Sequence, residues 1–151
     1  MAISFCNKVL AIRKDATFGA DLIAGFPTET HKMFKDTLSL VDECHLTHLH
    51  VFPYSTRANT PAALMPQVDK SVIKDRANIL RQKGIEKLKK YLENKVGEKD
   101  LILIEKNQNE KSIGKDQNFF NVMLDEKIRE GEIVPCVYVG VNNDILMAKR
   151  I

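Results

Sequence analysis

The sequence predicts an α/β segment followed by a small all-β barrel, and three observations carry that prediction. Ala20-Asp-Leu-Ile-Ala-Gly-Phe-Pro-Thr-Glu-Thr30 is an apolar run that stops at Gly25, Pro27 and a polar cluster. Such a run reads as a buried strand that delivers its carboxyl end to a ligand. Leu49 to Ala63 repeats the logic, with a strand ending at Pro53 and a loop of hydrogen-bonding side chains and one arginine, Arg57. Two strand ends separated by a helical segment describe a βαβ unit, whose ligands sit outside the carboxyl ends of the strands. Beyond Asn94 the apolar period switches from helical to alternating, in runs short enough for a small closed barrel.

Each element follows from its residues. Ile3, Val9, Leu10 and Ile12 give a short opening helix that begins abruptly, as the middle of a fold would. Thr28 to Glu43 places Met33, Phe34, Leu38, Leu40 and Val41 on a stripe, with Pro27, Thr28 and Thr30 as start signals. Thr47 to Pro53 is the second strand. From Lys70 to Asn94, Val72, Ile73, Ala77, Leu80, Ile85, Leu88 and Leu92 recur at three- and four-residue intervals among lysines and arginines. This predicts a long helix with one buried stripe and a basic outer face. Asn94 to Asp100 interrupts it, and Leu101–Glu105, Asn118–Leu124, Ile133–Val141 and Ile145–Lys149 are strand candidates between turn residues. The expected division is 1–91 for the α/β part and 92–151 for the barrel.

Composition narrows the function classes. The chain has 151 residues, 44% hydrophobic and 28% charged, which is a globular balance with enough apolar side chains for a core. A net charge of +3 permits a nucleic-acid partner without demanding one. No apolar run approaches the roughly 18 residues needed to span a bilayer, and the N-terminus has no charged region followed by an apolar one. No membrane role is expected, and the expected location is the cytoplasm. Cys6, Cys44 and Cys136 are far apart with no CxxC pair, so they read as small buried hydrophobes. His48 and His50 share a strand face while His45 lies outside it. With no carboxylate spacing to complete a metal site, they read as polar residues at the sheet end.

Gly19-Ala-Asp-Leu-Ile-Ala-Gly-Phe-Pro-Thr-Glu-Thr30, then Phe34 and Thr37-Leu38, then Val51-Phe-Pro-Tyr-Ser-Thr-Arg-Ala-Asn-Thr-Pro-Ala-Ala63 with Met65-Pro66, resembles the C-terminal part of radical S-adenosylmethionine tRNA methylthiotransferases. The likeness is strongest to the branch acting on threonylcarbamoyladenosine. The tail, with Leu103-Ile-Glu105, Gly114 to Phe119, Val122 and Gly131-Glu-Ile-Val134, is similar to the TRAM domain that ends these enzymes and is taken to bind RNA. The resemblance implies a piece of the radical α/β barrel joined to a TRAM-like barrel of oligonucleotide-binding type. It also implies methylthiolation at C2 of a modified adenosine beside the anticodon, with one 4Fe-4S cluster cleaving S-adenosylmethionine and a second supplying sulfur.

By resemblance, Ile23 and Gly25 fall where strand backbone approaches the adenine of S-adenosylmethionine. Thr28 and Glu29 fall on the following loop, where they contact the cofactor or fix the loop, and Arg57 offers a planar fork to a carboxylate or phosphate. Tyr54, Ser55, Asn59 and Thr60 share that loop. Lys83, Lys87, Lys90, Lys115 and Phe119 are the candidate RNA contacts, with Lys89 on the same basic helix. Of Phe119 and Phe120, alternation sends one outward and the other to the core. The family's CxxxCxxC triad has no counterpart here, so this chain alone is expected to perform no radical chemistry and to need a second, cluster-bearing polypeptide. A stand-alone RNA-binding module and a relic of a disrupted gene are the other two readings.

Overall fold

The computed structural model describes residues 1–151. It has the expected class, an α/β portion followed by an all-β one, and divides into two compact units, Met1–Lys87 and Leu88–Ile151. The first unit holds α1 (Ala2–Ile12), β1 (Phe18–Ala24), α2 (His31–Glu43), β2 (Leu46–Pro53), a 3-10 turn (Pro61–Leu64) and most of α3 (Lys70–Asn94). The second holds the end of α3 and β3 (Lys99–Gln108), β4 (Lys111–Lys115), β5 (Asn121–Leu124), β6 (Ile133–Asn142) and β7 (Ile145–Arg150). The seam falls inside α3 because Leu88, Tyr91 and Leu92 pack in the barrel's core.

In the first unit β1 and β2 form a two-stranded parallel sheet, with Ile23 beside Phe52 and Asp21 beside His50. Alternation along the strands sorts the faces. Phe18, Ala20, Leu22 and Ala24, with Leu46, Leu49 and Val51, pack with Cys6, Phe34, Val41, Ala77 and Leu80. Gly19, Asp21, Ile23, His50 and Phe52 are exposed.

The helix between the strands begins at His31 rather than Thr28. Thr28 has a left-handed φ of 70° and so cannot open a helix. Thr30 caps instead, its Oγ1 accepting the Met33 N–H at 3.2 Å. Met33, placed on the buried stripe by the sequence, is 55% exposed because it lies at the edge of the helix face that carries Phe34, Leu38 and Val41, and Val72 and Ile85 of α3 are exposed as well.

In the second unit the five strands close in the order β3-β4-β5-β7-β6, with β5 and β7 parallel and the other neighbours antiparallel. Ile102, Ile104, Val122, Leu124, Tyr138 and Leu146 fill the interior. β4 is absent from the sequence reading because its inward positions are Ser112 and Gly114 rather than apolar residues. Gly114 is required there, since a Cβ would come within 2.2 Å of the Leu103 carbonyl oxygen. Ser112 replaces apolar packing with hydrogen bonds, its hydroxyl donating toward Glu126 O and Asn107 Oδ1 and accepting the Ile128 N–H.

One end of the barrel carries buried polar groups. Asp116 accepts the N–H groups of Asn118 and Phe120, each at 2.9 Å. The Tyr138 hydroxyl donates to Asp116 at 3.1 Å and to Asp100 at 3.0 Å. Lys95 Nζ lies 3.8 Å from Asp100 and 4.0 Å from Asp116 and sits over the Tyr91 and Tyr138 rings. Every carboxylate there has a hydrogen-bonded or charged neighbour, the condition for burying it.

Candidate functional site

The strand ends of the first unit converge on two loops. After Ala24 the chain turns at Gly25, with φ 75°, and the Gly25 N–H donates to Glu29 Oε2 at 3.0 Å. Arg76 of α3 donates Nη1 to the same carboxylate oxygen and to the Glu29 carbonyl at 2.9 Å. The guanidinium also lies 5.4 Å from the centre of the Phe34 ring. Both charged side chains are only 11% exposed. Glu29, expected to contact the cofactor or to fix its loop, has its carboxylate engaged within the fold, where it braces the Gly25–Thr30 turn against α3. Gly25 serves the same packing. A Cβ there would lie 2.5 Å from Ile73 Cγ1, so glycine is demanded by the helix behind the strand. Thr28 faces the other loop through its N–H, which donates to the Pro66 carbonyl at 3.2 Å.

The second loop continues from β2. The Tyr54 N–H donates to the Ala24 carbonyl at 2.8 Å, carrying strand pairing one residue further. Beyond it Gln67 staples the loop, its Nε2 donating to the carbonyls of Met65 at 2.7 Å and Ala62 at 2.9 Å while Thr56 Oγ1 donates to its Oε1. Thr60 Oγ1 donates to the Arg57 carbonyl at 2.8 Å. The loop backbone is thus fixed while the Arg57 guanidinium has no ion pair or hydrogen bond.

A cavity of about 370 Å³ opens at these strand ends, lined by Ile23, Phe52, Pro53, Tyr54, Ser55, Arg57, Thr60 and Ala62. The structure thus brings Ile23 and Arg57 together and leaves Gly25, Thr28 and Glu29 outside the lining. Tyr54 also lines a larger groove of about 880 Å³ beside the start of α3, with Asp69, Lys70, Lys74 and Arg81. Its hydroxyl oxygen is buried without a hydrogen-bond partner. Such a group normally finds a partner, so it marks an unfinished polar site. Arg76 has no signal in the sequence, where it is one basic residue among many on α3 and lies 47 positions from its partner.

The candidate RNA contacts separate in the same way. Lys83 and Lys87 both pair with Asp42, at 2.6 Å and 3.2 Å. The hydrogen bond from Lys83 is the main cause of the low Asp42 pKa, with burial opposing it and Lys87 adding to it. Lys90 is exposed on α3. Lys115 reaches Asn121 Oδ1 at 2.7 Å and the Phe119 carbonyl at 3.3 Å. Phe119 is 78% exposed whereas Phe120 is buried against Tyr91. The split comes from a turn before β5, where Phe119 has φ 65°, and not from alternation along a strand. His45 sits at the end of α2 with φ 52°, His48 lies against Thr47 Oγ1, and His50 faces outward beside Asp21.

No protein-family model matches the chain. It is 48% identical over 139 residues to the threonylcarbamoyladenosine tRNA methylthiotransferase of Rickettsia prowazekii (strain Madrid E), a match covering 92% of this chain and 32% of that protein. It is 32% identical over 131 residues to the tRNA-2-methylthio-N(6)-dimethylallyladenosine synthase of Bartonella tribocorum, covering 85% of this chain and 29% of that one. The enzyme of the same name from Legionella pneumophila (strain Corby) is 36% identical over 107 residues, or 68% of this chain and 24% of its own length. The chain spans at most about a third of the length of these curated relatives.

Proposed function

We propose that this chain is the C-terminal part of a member of the tRNA methylthiotransferase family and forms the tRNA-facing portion of an enzyme acting on a threonylcarbamoyl-modified adenosine beside the anticodon. The observation that carries the substrate class is the 48% identity across 92% of the chain to an enzyme named for that nucleoside.

In this reading the strand-end cavity belongs to the reaction centre, and the barrel, with Lys90, Lys115 and Phe119, holds tRNA. Lys83 and Lys87 add positive potential beside Asp42. S-adenosylmethionine, which the family cleaves to start its reaction, would meet the backbone around Ile23 and Gly25, and the partnerless Tyr54 hydroxyl fits a polar ligand atom there. The thiols do not fit an iron–sulfur cluster. Cys6 and Cys44 are buried in one unit's core and Cys136 in the other's, whereas cluster ligands must converge. In this reading cluster chemistry comes from a further polypeptide segment, whether continuous with this one or separate.

The test is a chimera in which this chain replaces the matching third of the Rickettsia enzyme, with methylthio-adenosine in tRNA measured by mass spectrometry. Modified tRNA supports the enzyme reading. A folded, tRNA-binding chimera that leaves tRNA unmodified overturns it in favour of an RNA-binding module.

A further inference from the structure

We propose that Cys6 and Cys44 form a reversible disulfide under oxidising conditions, a redox-sensitive brace that fixes α1 to the turn between α2 and β2. The inference is independent of the tRNA-modifying reading above, because it concerns neither the strand ends nor the barrel.

Two helices bring these thiols together from distant parts of the chain. Cys6 is the buried residue of α1, and Cys44 is the residue that ends α2, its N–H donating to the Leu40 carbonyl at 2.9 Å. Both lie in the first unit's core, at 6% and 3% exposure, and Ile3 packs against the same cluster from α1. Within that core the Cys6 thiol is in hydrogen-bond contact with the Cys44 thiol, and burial followed by that contact holds Cys44 above the ordinary thiol range. A disulfide holds its sulfurs at about 2.05 Å, so the pair has only to close the space of one hydrogen bond. Burial keeps both sulfurs away from a second chain. Cys136 supplies an internal comparison, because it is buried in the other unit and its Sγ donates to the Val134 carbonyl at 3.6 Å. The place of the bond gives it an effect on the fold. Reduced, α1 is seated in the core chiefly by Cys6 and Ile3. Oxidised, it is tied covalently, and the segment containing β1 and α2 becomes a closed loop, which restricts the unfolded chain.

The oxidant is a small-molecule disulfide such as oxidised glutathione. Burial keeps Cys44 protonated, so Cys6 takes the first step, since the thiolate is the nucleophile. Its sulfur attacks the glutathione disulfide, the S–S bond breaks, one glutathione thiolate leaves and a mixed disulfide remains on Cys6. Cys44 then gives its proton to solvent and attacks the Cys6 sulfur, expelling the second glutathione thiolate. Two cysteine thiols are oxidised and one glutathione disulfide is reduced, the two released protons ending on the two glutathione thiolates.

The test incubates the 151-residue chain with oxidised glutathione, alkylates the remaining thiols in denaturant, and digests with trypsin without reduction for mass spectrometry. The expected product joins Met1–Lys8 to Asp36–Arg57, the tryptic peptides that carry the two cysteines, while Cys136 is recovered alkylated. The midpoint of the helical circular dichroism transition should rise by about 10 °C on oxidation, and dithiothreitol should restore both thiols and the original midpoint. Cys6→Ala and Cys44→Ala should each show neither the linked peptide nor the rise. Three alkylated cysteines, or glutathione on Cys6 or Cys44 with no linked peptide, overturns the proposal, and the wild-type chain alone decides this if a variant does not fold. A linked peptide without a higher midpoint overturns the brace, as does an equal rise in Cys6→Ala. A bond that dithiothreitol does not open in the folded chain overturns the switch.

Discussion

Tyr54 and Gly25 sit one strand end apart and make opposite predictions. The Tyr54 hydroxyl is buried and makes no hydrogen bond, so it contributes nothing to stability in the free chain and carries a desolvation cost of about 1–3 kcal/mol. Tyr54→Phe should leave the urea midpoint unchanged or raise it, while weakening S-adenosylmethionine binding. A clear loss of stability would mean the hydroxyl already has a partner. Gly25→Ala should do the reverse, because its Cβ would collide with Ile73 in a backbone conformation of φ 75° that disfavours side chains. A loss of about 2–4 kcal/mol is expected, from overpacking and left-handed strain together. Ile73→Ala in the same chain should recover the steric part and leave the strain. The glycine was legible in the sequence as a strand terminator. Its reason was not, because Ile73 lies 48 positions away and only the packed helix brings it close.

At the level of elements, the Glu29–Arg76 bond ties the turn after β1 to α3. Removing one partner leaves the other charge buried, so Arg76→Met should cost about 3–5 kcal/mol in equilibrium unfolding. The double variant with Glu29→Gln should cost less than the sum of the singles, and strict additivity would show that the two side chains do not act as a unit.

The barrel has a comparable device with a pH signature. Burial, and then the charges of Asp116 and Asp100, raise the Tyr138 pKa above its ordinary 10.0. A group whose folded pKa is raised stabilises the fold fully below its unfolded value and loses that contribution as pH rises beyond it. The barrel should therefore weaken above about pH 10, and Tyr138→Phe should flatten that alkaline limb. An unchanged limb in the variant would remove Tyr138 as its cause. The helix bounds of α3 were readable from sequence because its period runs for 25 residues. β4 was not, since Ser112 and Gly114 hold its inward positions and leave no apolar alternation to read. The cavity was half legible. Ile23 and Arg57 lie in recognisable runs, but that Glu29 belongs to a brace depends on a partner the linear pattern does not distinguish.

At the level of the whole molecule, two compact units share one continuous helix, and the chain supplies their strands in different orders. In the first unit sequence neighbours β1 and β2 pair with each other. In the second, β7 is inserted between β5 and β6, and it buries Leu146 and Ala148 in the core. Its removal leaves β5 and β6 facing each other across a gap, so a chain ending at Asn143 should lose the barrel's cooperative transition and keep that of the first unit. Loss of both transitions together would show that the units fold as one. The same insertion has a consequence for biosynthesis. Domains fold as units while the ribosome is still adding residues, and the α/β unit can assemble as soon as α3 has emerged. The barrel cannot, because its closing strand, β7, follows the other four in the chain and is still in the exit tunnel when they are outside. Between those moments the nascent chain exposes open strand edges, which are templates for wrong pairing. A stop codon just before Ile145 would make that transient state permanent.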